Sequence, residues 1–285
     1  MLRLLVAALG CASFLYAVDP EEHIRKSVAV SSATRLLLKV DRGSLRIEPG
    51  SEKTVDVEVY FHGSPHRDYR LDVSQQGAEI LATGEFRNAF QPWFIGWLFD
   101  GGDLNKIEYR VTMPRAFNAD VETAGGPIFV SNLDGQVRAH TSGGPIRVED
   151  VGGDMDVSTS GGPISIERNS GRVRAHTSGG PIEIREARGA VNASTAGGPV
   201  DASLVAQPKD QWRLTTSGGA INVSLKRDIH VDLDASTSGG RVRTDFPVTV
   251  SGDRHPSELR TPINGGGPLL YLHTSGGGIE VREVD

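Results

Sequence analysis

Thr141-Ser142-Gly143-Gly144-Pro145-Ile146 is followed by Thr159-Ser160-Gly161-Gly162-Pro163-Ile164 and by Thr177-Ser178-Gly179-Gly180-Pro181-Ile182. Near-copies at a constant step of 18 residues mark a repeat architecture. Paired glycines carry the series further. They are Gly125-Gly126, Gly143-Gly144, Gly161-Gly162, Gly179-Gly180 and Gly197-Gly198, then, after steps of 21, pairs from Gly218 and Gly239, with a return at Gly276. A weaker turn falls between them at Asp134-Gly135, Gly152-Gly153, Ser170-Gly171 and Arg188-Gly189. Each unit therefore holds two turns and two short strands.

Both strands alternate apolar and polar residues, the period of a strand with one buried face. One points Ile146 and Val148 inward, then Ile164 and Ile166, then Ile182 and Ile184. The other points Val137 and Ala139, Met155 and Val157, Val173 and Ala175. Large residues facing small ones suit a narrow interior. Two architectures fit. In a parallel β-helix equivalent residues stack about 4.8 Å apart. In an antiparallel meander they sit two strands apart. The outward column Arg138, Asp156, Arg174, Asn192 alternates in charge over its first three members, which is useful only under direct stacking. The expected fold is therefore an all-β, right-handed parallel β-helix of about 18-residue coils with an N-terminal β cap. The antiparallel β meander is the alternative.

The paired glycines serve as structural turns, where glycine permits positive φ, and the proline after them opens a strand. Residues 28–115 are less regular and read as the N-terminal β region and cap. Gly43-Ser44-Leu45-Arg46-Ile47 echoes the repeat and suggests early coils there. Residues 116–246 hold the regular repeats. Residues 247–285 form an irregular coil and a repeat at Thr274-Ser275-Gly276-Gly277 that closes the far end.

The chain has 285 residues, a net charge of -6 with both signs mixed, and no basic stripe of the kind nucleic acid requires. Residues 1–17, with Arg3 before the apolar run Leu4–Leu9, read as a signal peptide, which implies export to the periplasm or cell surface. Retention as an anchor and lipidation at Cys11 stay open. Cys11 is the single cysteine, so disulfides do not hold the fold.

Val40-Asp41-Arg42-Gly43-Ser44-Leu45-Arg46-Ile47, Val111-Thr112-Met113-Pro114, the Thr-Ser-Gly-Gly-Pro-Ile copies and Asn264-Gly265-Gly266-Gly267-Pro268 resemble the bacterial putative adhesin family, a domain of unknown function. The resemblance spans nearly all of the chain after residue 17. It implies a right-handed β-helix and an exported location, and it brings no catalytic residues.

Tests for chemistry return little. Calcium β-rolls need Gly-Gly-x-Gly-x-Asp, which Gly152-Gly153-Asp154-Met155-Asp156 matches only in part. His140 and His176 occupy equivalent places two coils, or roughly 9–10 Å, apart, with Ser158 between them, so they cannot share one zinc ion. The Thr column 141, 159, 177, 195, 216, 237 offers stacked hydroxyls, either for sugar edges or for the turn backbone. A Ser-His-Asp site needs one convergence point, which repetition does not provide. No Gly-Lys-Ser/Thr follows any glycine pair, which removes the phosphate cradle. No catalytic residue, metal site or cofactor is assigned.

Phe86, Phe90, Trp93, Phe94, Trp97 and Phe99 crowd one stretch of an aromatic-poor chain. Segment 86–99 reads as a cap over the open end. Docking to a partner and insertion at a membrane interface are the alternatives. Phe90, Trp93, Phe94 and Trp97 are the candidate partner-binding residues. The expected function is a non-catalytic, adhesin-like surface or envelope module presenting a rigid repetitive face. Its ligand would be a carbohydrate or envelope component. A self-associating envelope scaffold is the alternative, and a carbohydrate-active enzyme ranks third. Membrane contact is expected only through the N-terminal or aromatic segment.

Overall fold

The computed structural model describes residues 22–30, 32, 34–62, 69–86, 107–248 and 256–285. Among these residues the chain forms 24 β-strands and no helix. The first group is β1 (Glu22–Ala29), β2 (Arg35–Val40), β3 (Ser44–Pro49), β4 (Thr54–Phe61), β5 (Tyr69–Gln76), β6 (Glu79–Phe86) and β7 (Ile107–Met113). The regular region runs β8 (Asn118–Thr123), β9 (Ile128–Leu133), β10 (Val137–Thr141), β11 (Ile146–Val151), β12 (Met155–Thr159) and β13 (Ile164–Asn169). It continues with β14 (Val173–Thr177), β15 (Ile182–Arg185), β16 (Val191–Thr195), β17 (Val200–Leu204), β18 (Trp212–Thr216) and β19 (Ile221–Lys226). Beyond it lie β20 (Val231–Thr237), β21 (Val242–Thr244), β22 (Glu258–Ile263), β23 (Leu269–Thr274) and β24 (Ile279–Val284).

Two sheets of 12 strands face each other, and the chain alternates between them. Odd strands β9 to β19 are neighbours in the first sheet and even strands β8 to β18 in the second. Pairing in this region is parallel and in strict repeat register. Ile146 lies between Ile128 and Ile164, and Met155 between Val137 and Val173. Equivalent residues therefore stack directly, as in a parallel β-helix, and the meander is excluded. The Ile and Val columns of the first sheet meet the Val and Ala columns of the second, and all are buried. At roughly 1.5–3 kcal/mol for each buried aliphatic side chain, only neighbouring coils make a coil stable.

Glycine is required for a different reason from the one expected. Of the paired glycines, only Gly126 has a positive φ. A Cβ on Gly144 would lie 1.9 Å from the Gly126 carbonyl oxygen, and one on Gly162 2.1 Å from that of Gly144. Backbone rests on backbone at this edge, leaving no room for a side chain. Gly135, Gly153, Gly171 and Gly189 do the same at the other edge. The left-handed turns fall instead on Asn132, Asp150, Arg168 and Glu186, one per coil, with φ between 54° and 59°.

Both ends depart from sequence order. The β2–β3 pair is a true coil, and it stacks directly on β8–β9. β6 and β7 add a further coil outside it, followed by antiparallel β5, β4 and β1. Here the buried Tyr69 and Tyr109 hydroxyls hydrogen-bond at 2.8 Å beneath Phe61 and Phe86. At the other end the repeat at Thr274 does not close the stack. β23 and β24 lie between the β18–β19 coil and the β20–β21 coil, and antiparallel β22 borders β20. The outermost coil thus precedes its inner neighbour in sequence.

Candidate functional site

Burial alternates along the second-sheet strands β8 to β18, so they turn one side chain in two outward. On the second sheet this produces two parallel columns. One runs Asp120, Arg138, Asp156, Arg174, Asn192, Arg213 and Tyr271. The other runs Glu122, His140, Ser158, His176, Ser194, Thr215 and His273. Parallel register alone places them there, and each step is about 4.8 Å.

Within the first column Arg174 reaches Asp156 at 3.4 Å and Arg138 reaches Asp120 at 3.8 Å. In the second, the Nδ1 of His140 lies 2.8 Å from the Ser158 hydroxyl, and that of His176 lies 2.8 Å from Ser194. These imidazoles bridge successive coils rather than converge on one point. A shallow depression of about 240 Å³ lies among Gln136, Arg138, Asp154, Asp156, Arg172 and Arg174. Another, of about 350 Å³, is lined by Lys39, Asp41, Glu85, Glu122, His140 and Ser142, among others. Among the described residues no three His, Cys, Asp or Glu side chains come together as a ligand set.

The first sheet carries a different outward pattern. Glu149 stacks on Glu167, with Arg185 next. Arg168 relieves that like-charge contact by pairing with Glu167 and by reaching Glu149 at 4.0 Å. It also grips Asp150 in the coil before through two bonds of 2.7 and 3.0 Å. Those bonds hold the Asp150 carboxyl below its usual range.

The Thr column is buried and offers nothing to a sugar. Thr159 donates to the Gly144 carbonyl at 3.0 Å and accepts from its own Gly162 N–H at 3.3 Å. Thr141, Thr177, Thr195, Thr216 and Thr237 repeat the arrangement. Each hydroxyl is a staple between its own turn and the adjoining coil. The paired glycines sit beside these staples as structural turns. Phe90, Trp93, Phe94 and Trp97 lie outside the described residues, as do residues 1–17. Phe86, at the start of the aromatic segment, is half-buried against Tyr69, with the Arg42 guanidinium 5.2 Å from its ring centre. The repeat alone places Arg138, Asp156, Arg174 and Asn192 in one column and His140, Ser158 and His176 in equivalent places of the other; the remaining members and the His–Ser bonds come from the structure. The shared step of 18 between Ser158 and His140 was the signal for the second.

The family model Toastrack DUF4097 matches residues 33–281. No curated protein matches the chain. Among solved structures, a putative adhesin from Bacteroides fragilis is similar at 12% identity, covering 92% of this chain and 97% of that one, with a TM-score of 0.51. A putative lipid binding protein from Parabacteroides distasonis is 13% identical, covers 92% and 97%, and has a TM-score of 0.43. At 12% identity the likeness to the Bacteroides fragilis structure bears on the fold alone. The family match agrees with the resemblance drawn from the repeat words.

Proposed function

Because the chain belongs to the Toastrack DUF4097 family, we propose that it is an exported, non-catalytic binding module of the bacterial cell envelope. Its ligand-facing surface is the outer face of the second sheet. One observation carries this reading: Arg138 with His140, and Arg174 with His176, recur two coils apart, separated by Asp156 and Ser158. A rigid lattice of charges and donors at a fixed repeat suits an extended polymer that itself repeats, such as an envelope glycan. Preorganised side chains lose little freedom on binding such a ligand.

Catalysis is not favoured by this geometry. Each Ser–His pair is exposed and repeated, and the imidazole meets serine through Nδ1, the nitrogen a third group would use to orient the ring. The aromatic segment remains a second proposed contact through Trp93 and Trp97.

The test is a screen of the full chain against purified envelope glycans and phospholipid vesicles. Any retained component is then titrated with an Arg138→Ala, Arg174→Ala double variant and a Trp93→Ala, Trp97→Ala double variant. The charge variant is expected to bind about tenfold more weakly, or about 1.4 kcal/mol. Failure to retain any component, or unchanged binding by both variants, overturns the proposal.

A further inference from the structure

The position of the coil β23–β24 is the least expected feature of the fold. β23 pairs in parallel with β18 on one side and β20 on the other, while β24 pairs with β19 and β21. It is a wedge between two coils that both precede it in sequence.

Those two coils carry the same turn glycines and Thr hydroxyl as the wedge. Gly197, Gly218 and Gly239 are separated by equal steps of 21. Across the first of these steps the coils stack directly, with Thr216 donating to the Gly198 carbonyl at 2.8 Å. Across the second, the same bond is made through the wedge instead. Thr274 donates to Gly219 at 2.7 Å, and Thr237 donates to Gly277 at 2.6 Å. The β20–β21 coil has the staple and glycines needed to sit on Gly219 itself. During synthesis it emerges before the wedge does, and local contacts form first. An incoming coil would then have to open the slot.

The contacts in the slot select its occupant. Any β-coil could make the ladder bonds. Only residues 269–284 place Tyr271 under the Arg213 guanidinium at 4.1 Å, Glu283 against Arg227 at 2.6 Å, and His273 against Ser236 at 3.0 Å. The connection into the wedge is Asn264-Gly265-Gly266-Gly267-Pro268, in which the first three residues have φ of +51°, +93° and +87°. Glycine-rich backbone of this kind can redirect the following strands without a steric penalty.

We propose that the slot between the β18–β19 and β20–β21 coils is an acceptor site for a strand pair in trans. Its partner is the Leu269–Val284 coil of a second copy of this chain, exchanged about the Asn264–Pro268 hinge. The identical contacts then form between molecules, as in other strand exchanges.

The test incubates the full chain at high concentration, with and without brief exposure to mild denaturant, and measures mass by light scattering after size exclusion. A dimer fraction is expected. Gly277→Val should shut the coil out of the slot in cis and in trans alike, because a Cβ there would lie 2.2 Å from the Gly219 carbonyl oxygen, so the variant should stay monomeric with its slot open. Excess synthetic peptide 269–285 should suppress the wild-type dimer, while the same peptide carrying Gly277→Val should not. The peptide arm decides the matter if the Gly277→Val chain does not fold. A monomeric mass under every condition, or a dimer indifferent to both the variant and the peptide, overturns the exchange.

Discussion

At the scale of single residues, the two glycines of each pair are not equivalent. A Cβ on Gly161 would find its nearest neighbour at 3.8 Å, whereas one on Gly162 would find a carbonyl oxygen at 2.1 Å. Gly161→Ala should change stability by under about 0.5 kcal/mol, and Gly162→Ala should cost about 3 kcal/mol through overpacking. Thermal unfolding of the two variants side by side checks this. Glu186, at φ 56°, is a left-handed residue whose type gains nothing from that conformation. Glu186→Asn should raise stability by up to about 1 kcal/mol, since asparagine tolerates the region well. A lower melting temperature would show that the Glu186 side chain holds a compensating contact. The glycine pairs were plain in the sequence. Their cause was not, because the clashing atom belongs to a residue 18 positions earlier.

At the scale of elements, β13 ends in a buried polar residue. Asn169 occupies the inward column of Leu133 and Val151 and donates to the Val151 and Gly153 carbonyls at 3.0 and 3.1 Å. Its Oδ1 is buried without a hydrogen-bond partner. Asn169→Asp would place a carboxylate there. The variant should lose about 3 kcal/mol at neutral pH. Burial raises the folded pKa of such a group, so the deficit shrinks as pH falls toward about 3.9, the unfolded value. A constant deficit in denaturation from pH 7 to pH 4 would refute a charged origin. The Tyr69–Tyr109 pair makes an alkaline counterpart. Burial raises both hydroxyls well above their ordinary value. Stability is therefore whole below about pH 10, where the unfolded phenols ionise, and declines as pH rises beyond it. Replacing both with Phe should flatten that decline in melting curves recorded up to pH 11. Alternation along each strand disclosed its inward face from sequence, but pairing of two hydroxyls 40 residues apart was not legible there.

At the scale of the molecule, coils interact only with neighbours, so the array should tolerate removal of one whole unit. Deleting residues 146–163 joins Pro145 to Ile164 and restores the repeat word across the junction. That variant should keep its β-sheet circular dichroism and unfold cooperatively. Deleting only 146–154 moves a second-sheet strand into the first sheet and shifts every later coil, and it should not fold. Equal behaviour of the two deletions would contradict the stacked-coil account. The outward columns of the second sheet survive the whole-coil deletion with one row missing, so the proposed ligand should still bind, more weakly.

The amino-acid sequence alone determined the coil: its length, its two turns, its inward residues and the rows they form. All of these follow from contacts repeated at one fixed separation, which a periodic pattern must display. Only the tertiary structure decided what lies at the two ends, where β6–β7 and β23–β24 take places out of chain order. From β8 onward each coil presents the same Thr, Gly and aliphatic edge, so local complementarity there cannot rank one neighbour above another. That choice falls to a few contacts outside the repeat, such as Arg213 on Tyr271 and Tyr69 on Tyr109.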